Sequence, residues 1–71
     1  MNGNEFIKKI KKLGKQKGVA VWFDTAMGKG SHGTLYYGTA RTTIKDRKKE
    51  IAMGLLIAML NQLGISKEEI E

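Results

Sequence analysis

The apolar residues of this chain change their period twice, and the order of those changes limits the folds open to it more than any other feature. Phe6, Ile7, Ile10 and Leu13 recur at helical spacing while Lys8, Lys9, Lys11, Lys12 and Lys15 fall on the opposite arc. Residues 4–13 therefore read as an amphipathic helix with a lysine back. Either Asn2, with Glu5 three residues on as a capping box, or Asn4 caps its start, and Gly14 is a natural stop because continuation would put Lys17 on the apolar arc. Val19, Val21 and Phe23 then alternate with Ala20, Trp22 and Asp24, the period-2 pattern of a strand with one buried face. Leu35 and Tyr37 alternate with Thr34 and Tyr36 in a second strand. Gly38-Thr39 is a two-residue hairpin turn into a third strand over residues 41–45, with Thr42 and Ile44 inward.

Residues 46–50 are a charged connector, and helical spacing returns over 51–63, closed by Gly64. Ser66, with Glu69 three residues on, repeats the capping-box pattern and predicts one last short turn. The expected architecture is α+β, in the order α-β-β-β-α, with a three-stranded antiparallel sheet packed on two helices. At 71 residues the chain is expected to form one domain, 1–71, with one core, near the size where burial only just offsets chain entropy. Leu55, Leu56, Met59, Leu60 and Leu63 suffice for the core stripe of the second helix. Met53, Ile57 and Ala58 are then surplus, and an apolar patch on so small a protein points to a covering partner, either a second copy or a small acidic protein.

Charge narrows the partners. Thirteen Lys and Arg face seven Asp and Glu, a formal +6. The imbalance is uneven: residues 1–49 hold 12 basic and 3 acidic side chains, a net of +9, whereas residues 50–71 hold 1 basic and 4 acidic, a net of −3. A polyanion, with nucleic acid first, is the expected partner of the basic part. The absence of cysteine excludes disulfides and a thiolate nucleophile, and a single histidine is too little for a zinc site, so neither a structural metal nor another cofactor is expected. No secretory leader order and no run of the ~18 apolar residues that span a bilayer occur. A cytoplasmic protein with no membrane partner is expected.

The only histidine, His32, sits in Gly28-Lys29-Gly30-Ser31-His32-Gly33, between a loop over residues 28–31 and the second strand. Histidine transfers protons near neutral pH. Its parity with Thr34 and Tyr36 turns it away from the core. RNA carries its own nucleophile, the 2′-OH, so cutting it requires a base, an acid and phosphate donors, without a metal. Lys29 and the main chain around Gly30 are candidate phosphate contacts, because glycine lets backbone N–H groups approach an anion. Ser31 is a phosphate donor or a turn brace. Tyr36 and Trp22 share the outward parity and can stack bases, although a tryptophan in so small a chain is more often core. Asp24, on the same parity, is a further option for orienting His32.

Lys29-Gly30-Ser31-His32 at a strand start, together with Asn4-Glu5-Phe6-Ile7-Lys8, Gly54-Leu55 and the closing Leu60-Asn61-Gln62-Leu63-Gly64-Ile65, resembles the HicA (YcfA-like) family of bacterial toxins. The resemblance covers most of the chain. It implies a fold similar to the double-stranded RNA-binding domain (dsRBD-like), mRNA interferase activity with His32 as the catalytic histidine, and neutralisation by a cognate HicB-like antitoxin. The second helix is more apolar here than is usual in that family, and the proline often found after the third strand is missing. The alternatives are a non-catalytic RNA-binding module of the same fold and a protein-binding subunit built around the second helix.

Overall fold

The computed structural model describes residues 1–25 and 32–70. Helix α1 spans Gly3–Lys17, strands β1 (Val21–Asp24), β2 (Gly33–Tyr37) and β3 (Ala40–Ile44) follow, and helix α2 (Met53–Leu63) precedes a 3₁₀ turn, Lys67–Ile70. The strands pair antiparallel in the order β1-β2-β3. The molecule is thus a small α+β fold in the expected α-β-β-β-α order, with α1 packed on β1 and α2 beside β3.

Helix α1 begins as its capping box dictates. Asn2 Oδ1 accepts from the Glu5 N–H and Glu5 Oε1 accepts from the Asn2 N–H, both at 2.9 Å, which satisfies two of the donors a helix start leaves open. Its end differs from the sequence expectation. Gly14 lies buried inside the helix, and a Cβ there would stand 2.4 Å from Val21 Cγ2 and 2.7 Å from the Val19 carbonyl oxygen. The glycine is needed for the close approach of the returning chain, and it does not stop the helix. The stop is Gly18, whose φ of 68° lies in the left-handed region that glycine occupies without strain and whose N–H donates to the Gly14 carbonyl. Lys17 is accommodated because the core has ended beneath it and its ammonium pairs with Glu69 of the 3₁₀ turn. That hydrogen bond, followed by the Ser66 N–H, holds the Glu69 carboxyl below its usual 4.5, and the same bond raises Lys17 above its usual 10.5.

Phe6, Ile10, Leu35 and Leu60 are fully buried at the centre of a core completed by Ile7, Leu13, Ile44, Leu56, Met59, Leu63, Ile65 and Ile70. Each such side chain contributes roughly 1.5–3 kcal/mol by leaving water. The core stripe of α2 is Leu56, Met59, Leu60 and Leu63, narrower than expected: Leu55 is 53% exposed and joins Met53 and Ile57 on the outer surface. Leu55, four residues before Met59, keeps the 3–4 spacing but lies at the margin of the stripe, on the flank away from Leu60. The hairpin between β2 and β3 turns on Gly38 and Thr39, of which only Gly38 has positive φ, 60°, as a type II′ turn demands of its first central residue.

The charged connector runs across the start of α1. Asn4 N–H donates to the Arg47 carbonyl and Ile51 N–H to the Met1 carbonyl, each at 2.9 Å, while a Cβ at Gly3 would lie 2.7 Å from Arg47 Cα. Both helices therefore serve one face of the sheet, and among the described residues no element covers the other, where Trp22, Asp24, Arg41 and Thr43 are exposed. Among the described residues no helix is long and apolar enough to cross a membrane.

Candidate nucleic-acid interface

The start of β2 is fixed by a glycine. Gly33 is buried, and a Cβ on it would meet Phe23 Cζ at 2.4 Å and the Asp24 carbonyl oxygen at 2.8 Å. The Phe23 ring lies against this bare backbone, with the Arg47 guanidinium 5.2 Å from its centroid, a cation–π distance that ties the connector to β1. His32 immediately precedes this constrained residue and is exposed to solvent. The packing thus holds the backbone beside His32 while leaving its imidazole to water.

Period-2 alternation assigns the open face. Trp22, Tyr36 and Arg41 form one row across the three strands, and Asp24, Thr34 and Thr43 the next. Trp22 is 47% exposed, so it lies outside the core, contrary to what its size suggests. Its ring stacks on Tyr36, with centroids 4.8 Å apart and planes 13° from parallel, and this cross-strand contact replaces the burial that a core position would have supplied. Exposed Arg41 stands opposite Tyr36 on β3. A groove of about 610 Å³ opens beside them, lined by Thr34, Tyr36, Arg41, Thr42, Thr43 and Gln62.

His32, exposed, thus directly precedes the strand that carries Tyr36 on its open side. Lys29, Gly30 and Ser31, the other expected contacts, lie outside the described residues, as does Gly28. Asp24 sits across from Thr34 on the open face. Of the α1 lysines, Lys8, Lys11, Lys12 and Lys15 are exposed, whereas the Lys9 ammonium donates to the Ile70 carbonyl at 3.3 Å. Arg41 and Gln62 had not been singled out. Arg41 was legible in principle, since it shares its face with Tyr36 across the hairpin. Gln62 was signalled only by Thr42, a hydroxyl on an otherwise apolar inward face, which requires a partner: Thr42 Oγ1 donates to Gln62 Oε1 at 2.5 Å.

A second surface is apolar. Helix α2, without a single charged residue, exposes Met53 and Ile57 on one flank of its core stripe and Leu55 on the other. Beside it a depression of about 190 Å³ is lined by Ile44, Ile51, Leu55 and Met59 with Lys45, Lys49 and other charged residues at its rim. Among the described residues no cluster of three His, Asp or Glu side chains is placed to hold a metal ion. Comparison with family models, with curated proteins and with solved structures returned no match.

Proposed function

We propose that this chain is an mRNA-cutting endoribonuclease that works without a metal, the toxin of a type II toxin–antitoxin pair, as its resemblance to HicA implies. The observation that supports the reading is the exposure of His32 directly before β2, the strand whose open side presents Tyr36. In the proposed reaction the imidazole takes the proton of a ribose 2′-OH. The 2′-oxygen then bonds to the adjacent phosphorus as the bond from phosphorus to the 5′-oxygen breaks, leaving a 2′,3′-cyclic phosphate and a 5′-hydroxyl. The leaving oxygen takes a proton from a second group, a lysine, a tyrosine or water, since one neutral imidazole cannot be base and acid at the same moment. Lys29 and the backbone N–H groups near Gly30 stabilise the charge on phosphorus in this scheme.

An acidic HicB-like antitoxin is the proposed regulator. The net charge of +9 over residues 1–49 would steer it in, and the uncharged outer surface of α2 would give it an apolar anchor. The second reading, a non-catalytic RNA-binding module, is favoured by the Trp22–Tyr36 stack, which serves binding whether or not His32 transfers a proton. Incubating the protein with single-stranded RNA in excess chelator and analysing the fragment ends decides between them. Cyclic-phosphate and 5′-hydroxyl ends support the ribonuclease; intact RNA that stays bound supports the binding module.

A further inference from the structure

We infer that the open sheet face is a stacking site for an unpaired nucleotide, with Trp22 and Tyr36 as platform, Arg41 as the cation beside it, and Gln62 as a base-edge reader held in place by buried Thr42. This rests on the ribonuclease reading above for the choice of polymer, and it goes further in selecting single strands over duplex.

Three features carry it. First, β1 is an edge strand among the described residues, so within them the Trp22 ring has Tyr36 on one side and no strand on the other. A planar base can extend the stack from that free side or cover the pair from above. Paired bases in a duplex are already stacked on their neighbours and do not offer their faces, whereas splayed bases do. Second, the row continues into Arg41, whose guanidinium binds phosphate or stacks on a base equally well. Third, the groove next to the row is lined by hydroxyl, amide and guanidinium groups. The Thr42 hydroxyl engages the carbonyl oxygen of Gln62, which fixes the rotamer and leaves the amide N–H donors of Gln62 to offer to an acceptor on a base edge. A protein partner fits this face less well. Trp22, Asp24, Thr34, Tyr36, Arg41 and Thr43 include no aliphatic side chain, while the centre of a protein interface is depleted in charge and rich in apolar area. The excess of 12 basic over 3 acidic residues in positions 1–49 supplies the attraction for a phosphate chain.

Trp22 is the only tryptophan in the chain, so its fluorescence reports on this site alone. The test titrates a short single-stranded 2′-O-methyl RNA, which lacks the free 2′-OH and is not cut, against the same sequence as a duplex. The expected result is strong quenching by the single strand and little by the duplex. Arg41→Ala and Gln62→Ala, both at exposed positions, are expected to keep the circular dichroism of the parent and weaken binding. Tyr36→Ala is expected to weaken it about 5- to 150-fold, the range for losing one stacked base. Quenching without any cleavage of ordinary RNA would retain this site and remove the ribonuclease reading. His32-dependent cleavage without quenching, equal quenching by duplex, or burial of Trp22 through self-association in the absence of RNA would each overturn the inference.

Discussion

Gly33→Ala tests the contact that fixes the backbone next to His32. The added Cβ meets Phe23 Cζ at 2.4 Å and the Asp24 carbonyl oxygen at 2.8 Å, so the ring must rotate and two paired strands must separate. The ring is itself confined by the Arg47 guanidinium. Overpacking of this kind costs about 1–3 kcal/mol, offset by roughly 0.4–1 kcal/mol because alanine restricts the unfolded chain more than glycine does. The net loss is up to about 2.6 kcal/mol, against a total of about 4–10 kcal/mol for a chain this short, so the variant still folds. For this size each kcal/mol lowers Tm by about 4–8 °C, and thermal unfolding followed by circular dichroism should show a drop of up to about 20 °C. Phe23→Leu on its own removes aromatic packing. In the Gly33→Ala background it should cost less, because it also relieves the shorter of the two contacts, and a double-mutant cycle reads the difference as coupling. A Gly33→Ala protein as stable as the parent, with no coupling to position 23, would refute this account of how β2 is held.

Two further outcomes follow from other surfaces. The Glu69 carboxyl is held below 4.5 by Lys17, so its contribution to stability is present above 4.5 and is lost as pH falls through the lowered folded value. Lys17 is raised above 10.5, so its contribution is full below 10.5 and is lost as pH rises through the raised value. Glu69→Gln should therefore make the acid limb of the stability–pH profile shallower, and an unchanged acid limb would show that the pair contributes nothing. Ile57→Lys, at a position 44% exposed, should change the stability of the isolated chain by no more than about 0.5 kcal/mol while weakening antitoxin capture or self-association in sedimentation. An unfolded variant would place Ile57 in the core instead.

The periodicity of the apolar residues was enough to read the element order and the inward positions of Leu35, Thr42 and Ile44, because each element buries one face and the period names it. Gly14 was misread because a glycine for close packing and a glycine for a helix stop look alike until the position of Val21 is known. Leu55 and Trp22 erred for a shared reason: size and hydrophobicity report how much a side chain gains from burial, and the geometry of neighbours decides whether burial is available. For Leu55 the core stripe of α2 was already filled by Leu56, Met59, Leu60 and Leu63, and for Trp22 the open face supplied Tyr36 as a stacking partner. Parity alone was enough to expect the exposure of His32 and the place of Tyr36 on the open face. The Thr42–Gln62 contact was not, since it joins a strand to a helix 20 residues away and no local pattern encodes that meeting.

The central claim is that His32 transfers the proton in RNA cleavage, and the most direct measurement compares parent and His32→Ala proteins on single-stranded RNA in excess chelator, with circular dichroism and RNA affinity recorded for both. Because His32 is exposed and precedes the constrained Gly33, the variant should fold and bind RNA as the parent does, and its cleavage rate should fall by about 10²- to 10⁴-fold, the usual contribution of a positioned acid or base. A folded His32→Ala protein that cuts RNA at the parent rate would contradict the account.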